Sequence, residues 1–237
     1  MDDNFITDVY DKSYQDMIGK DFNWLPFTGK QYPEVPKQDR VLILGESCYA
    51  WKNNATEICA NKNHIRENVY NQMYDSGFFK NIVRTMIGKR EITKAARKQF
   101  WETVSFQNLV TTPLATVKHR PNLDDYKKGW VAYWQIHEVL QPKICIVLGT
   151  EAAKIDSFIS VLRRERELID HKNELNLHFP KVGRYYAKTL SFDVKGKNIK
   201  FFFIKHPSSF FSWQAWHEFL NDNIPDVINY YQTKINA

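Results

Sequence analysis

The chain has 237 residues, enough to fill one domain around a single sheet and its covering helices. Apolar residues make up 43% and charged residues 25%, which excludes a disordered or fibrous chain, and no apolar run approaches the roughly 20 residues of a bilayer span. Lys and Arg exceed Asp and Glu by 33 to 27, a formal charge of +6 that permits an anionic partner without requiring one.

The N-terminus, Met1-Asp2-Asp3-Asn4, lacks the basic-then-apolar order of a secretory signal. The three cysteines, Cys48, Cys59 and Cys145, are odd in number and include no C-x-x-C pair, so no disulfide framework is expected. Together these features predict a reduced, cytoplasmic protein with no membrane association. Its oligomeric state has no sequence signature.

The first short apolar run, residues 41–44, is of strand length and ends at Gly45. Residues 67–87 follow with apolar positions at Val69, Met73, Phe79, Ile82, Val83 and Met86, a helical spacing, and Gly88 as its stop. A second run covers 104–110. A helix is predicted over 125–140, periodic through Trp130, Tyr133, Trp134, Ile136, His137 and Leu140, and the turn Gln141-Pro142-Lys143 leads into a third run at 144–148. A helix at 150–168 follows directly. Residues 185–192 alternate as a strand that can pair across the turn Lys195-Gly196-Lys197 with a fourth run at 200–204, and a helix at 222–232 closes the chain.

Runs apolar throughout suit strands buried on both faces, and strands alternating with helices imply right-handed crossovers. The pattern therefore predicts a single α/β domain over 1–237, a three-layer α/β/α arrangement with a central, mainly parallel four-stranded sheet. In such sheets ligands bind beyond the carboxyl ends of the strands. Three runs end in polar or reactive residues: the first in Gly45-Glu46-Ser47-Cys48-Tyr49, the second in Gln107-Asn108, and the fourth in Lys205-His206-Pro207-Ser208-Ser209. A parallel sheet would gather them at one edge.

Those segments, with their order and spacing, carry a resemblance. Val41-Leu-Ile-Leu-Gly-Glu-Ser-Cys-Tyr49 resembles the first motif of the uracil-DNA glycosylase superfamily, which reads G-Q-D-P-Y in its best-known branch and G-E-A-P-G in the iron–sulfur branch. His206-Pro-Ser-Ser-Phe-Phe-Ser212 resembles the second motif, H-P-S. Phe106-Gln-Asn-Leu-Val110 is similar to the strand whose asparagine reads the uracil edge. Arg120-Pro121 and Gln141-Pro-Lys-Ile-Cys-Ile-Val-Leu-Gly149 follow the iron–sulfur branch's layout. Leu25-Pro-Phe-Thr-Gly-Lys-Gln-Tyr32 resembles a bacterial subgroup marked by G-E-S-x-Y and H-P-S-S.

The resemblance implies a DNA glycosylase-like protein of DNA repair, acting on a flipped uracil or other modified base. Its partner would be DNA or another nucleic acid, or a free nucleobase. It implies Glu46, Ser47 and His206 as catalytic residues: a carboxylate to stabilise the cationic sugar or orient water, and a histidine to hold charge developing on the base. Substrate contacts would come from Gly45, Tyr49, Asn108, Ser208 and Ser209, with Phe79 as the stacking ring and Phe78 next in line. Tyr49 would exclude thymine's methyl group. Two departures are visible. Ser47 stands where the best-known branch has its water-positioning aspartate, and the cluster cysteines of the iron–sulfur branch are absent, so no cofactor is expected.

Other readings of the same residues remain open. Ser47 suits a helix N-cap, and Phe79 suits a core position on an apolar helix face. A non-catalytic binder or sensor of a nucleobase, nucleotide or modified nucleic acid would use the same pocket without hydrolysis. A Cys48–His206 nucleophilic pair would instead suit a hydrolase or transferase. The basic residues Lys80, Arg84, Lys89, Arg90, Lys94, Arg97 and Lys98, with Glu91 alone against them, read as a solvated face or as phosphate contacts. His171 and His178 have no metal-ligand spacing.

Overall fold

The computed structural model describes residues 5–18, 24–49, 63–116, 118–164, 175–194, 196–208 and 210–235. Its strands are β1 (Phe27–Thr28), β2 (Val41–Gly45), β3 (Ser105–Asn108), β4 (Ile144–Leu148), β5 (Asn176–His178), β6 (Lys181–Val182), β7 (Tyr185–Tyr186), β8 (Lys188–Val194) and β9 (Lys197–Ile204). Seven form one sheet in the order β1-β3-β2-β4-β9-β8-β5, while β6 and β7 pair as a separate ribbon.

The four predicted runs are its parallel centre: β2 pairs with β3 and β4, and β4 with β9, all in the same direction. The sheet nevertheless has seven strands rather than four. β8 folds back on β9 from Val194 and Lys197, as its alternation predicts. β1 and β5 add antiparallel edges of two and three residues, too short to leave a periodic pattern.

Alternate residues of the central strands feed two separate cores. Val41 and Ile43 pack on one face with Phe106, Ile146 and Phe202, while Leu42 and Leu44 pack on the other with Val147, Phe201 and Phe203. That division explains the continuous apolar runs. Helices α2 (His64–Gln72), α3 (Gly77–Ile87), α4 (Lys94–Thr103), α7 (Trp213–Asn223) and α8 (Pro225–Lys234) supply the first core, and α1 (Asp11–Ile18), α5 (Leu123–Leu140) and α6 (Ala152–Arg164) the second. Aromatic rings dominate both. Phe158 of α6 lies 4.2 Å from Trp130 and 4.6 Å from Phe201, and each such buried ring contributes roughly 1.5–3 kcal/mol.

Two predicted helices are each divided. The helix expected at 67–87 breaks because Ser76 is extended, with φ −66° and ψ 126°, so α3 begins afresh at Gly77. Gly88 then ends α3 in the left-handed region at φ 76°, donating its N–H to the Arg84 carbonyl at 2.8 Å. The helix expected at 222–232 is split by Pro225, which lacks an N–H and opens α8. At the start of α5, Asn122 Oδ1 accepts from the Asp124 and Asp125 amides at 2.8 and 3.0 Å, and the Asp125 carboxylate accepts from the Asn122 amide at 2.9 Å. Among the described residues no helix is long and apolar enough to cross a membrane.

Candidate functional site

Because β2, β3, β4 and β9 run in one direction, the segments after them emerge on one edge of the sheet. Backbone pairing continues past the strand ends and fixes them. The Leu109 and Val110 amides donate to the Gly45 and Glu46 carbonyls at 3.0 and 2.9 Å, and the Leu114 amide donates to the Cys48 carbonyl at 2.9 Å. Gly149 N–H donates to the Ile204 carbonyl at 2.7 Å, and Asn81 Nδ2 of α3 donates to the Pro207 carbonyl at 2.9 Å. The loop at 205–208 is thus tied to both β4 and α3.

These segments enclose a cleft of about 1010 Å³. Of the residues singled out from sequence, Glu46, Ser47, Cys48, Tyr49, His206 and Ser208 line it. Phe78, Arg120, Tyr126 and Glu151 complete the floor and near walls. The far wall is a helix face of α2, presenting His64, Glu67, Asn68, Asn71 and Gln72.

Glu46 is the most heavily engaged group. Its Oε1 accepts from Tyr126 OH at 2.9 Å and lies 3.4 Å from Lys154 Nζ, and its Oε2 is 3.8 Å from Arg120 Nη1. Lys154 is fully buried, in the first turn of α6, where the helix dipole disfavours a cation. Its ammonium donates to the Leu148 carbonyl at 2.7 Å and pairs with Glu151 Oε2 at 3.1 Å, so two carboxylates and a strand-end carbonyl hold the charge. Burial pushes the Glu151 carboxyl up, but the Lys154 charge, hydrogen bonds to its own backbone amide and to Lys154, and His206 together hold it below its ordinary value. Burial, reinforced by the Glu46 carboxylate, raises the Tyr126 hydroxyl, so it stays protonated and donates.

His206 packs its ring 5.0 Å from Phe78, and its Nδ1 is 3.0 Å from Ser208 Oγ. Burial lowers its pKa against the opposing pull of Glu46, which keeps the imidazole neutral at pH 7. A Ser208 hydroxyl that donates to Nδ1 leaves the imidazole proton on Nε2, and one that accepts leaves it on Nδ1. Tyr49 OH accepts from Arg120 Nη1 at 3.2 Å. Ser47 Oγ is buried and makes no hydrogen bond with any described group, so the cap role is not realised among the described residues.

Three sequence-predicted residues do not line the cleft. Asn108 is 5% exposed and lies directly beside Gly45 in the β2–β3 register. A Cβ at Gly45 would collide with the Asn108 carboxamide and the Phe106 ring, so this glycine is required by close approach rather than by ligand contact. Phe79 is 2% exposed, with its ring 5.3 Å from Trp101 and 5.8 Å from Phe106. It shares the buried stripe of α3 with Ile82, Val83 and Met86, and Phe78, one residue earlier, takes the cleft position instead. Ser209, Cys59 and His171 lie outside the described residues. Of the basic stretch, Arg97 is buried and donates to the Tyr74 carbonyl, and Arg84 Nε donates to the Arg90 carbonyl at 2.8 Å, so both are structural.

Lys154, Glu151, Tyr126 and the α2 wall are functional candidates that sequence reasoning missed. For Lys154 a signal existed. It falls on the face of α6 shared by Ser157, Phe158 and Val161, where an apolar residue belongs. Gly149 carries a second signal, since φ 107° and a Cβ that would collide with Lys154 Nζ both demand glycine.

Among the described residues, no group of three or more His, Cys, Asp or Glu side chains is placed to hold a metal ion. No protein-family model and no curated protein matches the chain.

Proposed function

We propose that the chain is a base-excision enzyme of the uracil-DNA glycosylase-like superfamily, hydrolysing the N-glycosidic bond of a flipped, modified base in nucleic acid. The observation that carries this reading is that Glu46, His206 and Phe78 share one cleft at the carboxyl edge of the parallel strands. A cleft of about 1010 Å³ holds a nucleotide with its sugar.

Each group has a matching task. The bond from C1′ to the base nitrogen breaks, leaving a cationic sugar and an anionic base; water then adds to C1′ and the proton it loses ends on the departed base. Glu46, which faces Lys154 and Arg120, stabilises the sugar cation. Neutral His206 donates from Nε2 to the base oxygen that gains charge. Phe78 supplies the stacking face that the sequence assigned to Phe79, and Tyr49 narrows the pocket beside the base. Asn68, Asn71 and Gln72 on α2 offer the amide edge that Asn108 does not present to the cleft.

One observation favours a second reading, binding of a base or nucleotide without turnover. Glu46 Oε1 already has Tyr126 and Lys154 as partners and Oε2 faces Arg120, while Ser47 offers only an unengaged hydroxyl in place of an aspartate. Incubation with uracil- and hypoxanthine-containing oligonucleotides followed by alkali cleavage separates the two. Base release that falls by about a hundredfold or more in His206→Ala supports hydrolysis. Lesion-specific binding without release over a panel of modified bases assigns the cleft to a sensor.

A further inference from the structure

Breaking the glycosidic bond leaves C1′ electron-poor, and the water that adds there has to lose a proton. A group that holds this water needs an ionised oxygen with a lone pair open to the cleft. Glu46 is poorly suited to that. Its Oε1 has Tyr126 at 2.9 Å and Lys154 at 3.4 Å, its Oε2 faces Arg120 at 3.8 Å, and its side chain is 12% exposed. Ser47 offers only an uncharged hydroxyl, a far weaker acceptor of a proton than a carboxylate.

Glu151 differs on each count. It stands between β4 and α6, lines the same cleft, and has a side chain 52% exposed. Among the described residues its partners are Lys154, 3.1 Å from Oε2, and its own backbone amide. These contacts and the nearby His206 hold the carboxyl below its ordinary value, so it is ionised at pH 7.

The surroundings fit the same part. Lys154 contacts both carboxylates, so Glu46 and Glu151 stand one ammonium apart, the first shielded and the second open. Hydrolysis of a glycosidic bond divides its work between two such groups, one beside the bond and one on the water. Gly149 leaves the room for this arrangement. It adopts φ 107°, and a Cβ there would collide with Glu151 Oε2 and Lys154 Nζ.

We propose that Glu151 holds the attacking water and takes up its proton, while Glu46 faces the sugar cation. The assignment rests on the base-excision reading and adds the residue that this reading leaves unnamed. The bond from C1′ to the base nitrogen breaks, and its electron pair leaves with the base. The water oxygen bonds to C1′, its proton passes to Glu151, and from there it reaches the departed base.

Base release by the full chain from uracil- and hypoxanthine-containing single strands, with and without sodium azide, tests this. Glu151→Ala and Glu151→Gln each lower release at pH 7 by about a hundredfold or more. Affinity for the same strands stays within about twofold. Circular dichroism shows both variants folded, because Glu46 still answers Lys154. Azide needs no proton removed. In Glu151→Ala it enters the vacated space, bonds to C1′ and restores release by about tenfold or more, and mass spectrometry finds it on the sugar. The parent gives the ordinary sugar in azide, because its carboxylate keeps the anion out. His206→Ala gains nothing from azide, since its loss concerns the base. Release within about twofold of the parent in either Glu151 variant would overturn the proposal; so would a folded Glu151→Ala protein that azide fails to rescue. A parent that releases neither base overturns the base-excision reading and this assignment with it, whereas release indifferent to Glu151 sinks the assignment alone.

Discussion

The cleft and the groove beside it, between the β6–β7 ribbon and the loop leading to α7, share Ser208 and little else. The cleft is acidic, and its central carboxylate is held by a buried lysine, an arginine and a tyrosine. Among the described residues the groove is lined by one cation, Arg184, laid over the Tyr185 and Phe210 rings, and by no carboxylate. The contrast assigns bond-breaking chemistry to one of two neighbouring surfaces. Stabilising a developing cation needs ionised carboxylates in a place sheltered from water, where like-charged phosphates are repelled. With no carboxylate and with Phe210 81% exposed along its wall, the groove meets neither condition.

The largest effect that would break this contrast is the removal of the cleft's hidden cation. Lys154→Met leaves Glu46, 12% exposed, and the half-exposed Glu151 without their common partner, and breaking the buried pair with Glu46 costs about 3 kcal/mol. Urea unfolding measures it. A second substitution, Glu46→Gln, restores part of the loss because it removes the more buried of the two carboxylates left without the lysine. A Lys154→Met protein as stable as the parent would mean that the lysine does not hold the carboxylates.

The next effect separates adjacent residues of α3 and shows how far sequence alone reaches. Phe79→Ala empties a fully enclosed position among Trp101 and Phe106 and costs about 3 kcal/mol of unfolding free energy. Phe78→Ala costs much less stability, and it weakens base release by about tenfold because the stacking face is lost. From sequence Phe79 already suits the apolar helix face, but excluding it as the stacking ring in favour of Phe78 requires the helix start. The extended Ser76 sets that start, and the stripe Phe79, Ile82, Val83, Met86 then assigns Phe79 to the core. The four central strands were legible because burial on both faces leaves unbroken apolar runs, and the loops after β2 and β9 were legible because strand polarity alone places them together. Asn108 misled because strand register, invisible in the sequence, turns its carboxamide against Gly45. The α2 wall was illegible for another reason. Asn68, Asn71 and Gln72 become a binding face only after a tertiary contact sets that helix across the strand ends.

The smallest effect is one of acid titration, and it belongs to the cleft alone. Burial lowers the His206 pKa below its ordinary 6.5, opposed by Glu46 and then Glu151 and aided by Lys154 and Arg120. The unfolded chain therefore takes up this proton at a higher pH than the folded one. The stability that follows from the neutral ring is fully present above pH 6.5 and is lost as pH falls from there through the folded value. His206→Gln removes that part of the slope, so the variant loses less unfolding free energy than the parent between about pH 7 and pH 5. Arg184→Gln leaves the slope as it is, because it lies outside the cleft and no acid among the described residues lines the groove beside it. Urea titrations at the two pH values decide the matter. Equal slopes in parent and His206→Gln would show that the imidazole is as accessible to protons in the folded protein as in the open chain, and the sheltered character of the cleft would then no longer distinguish it from its neighbour.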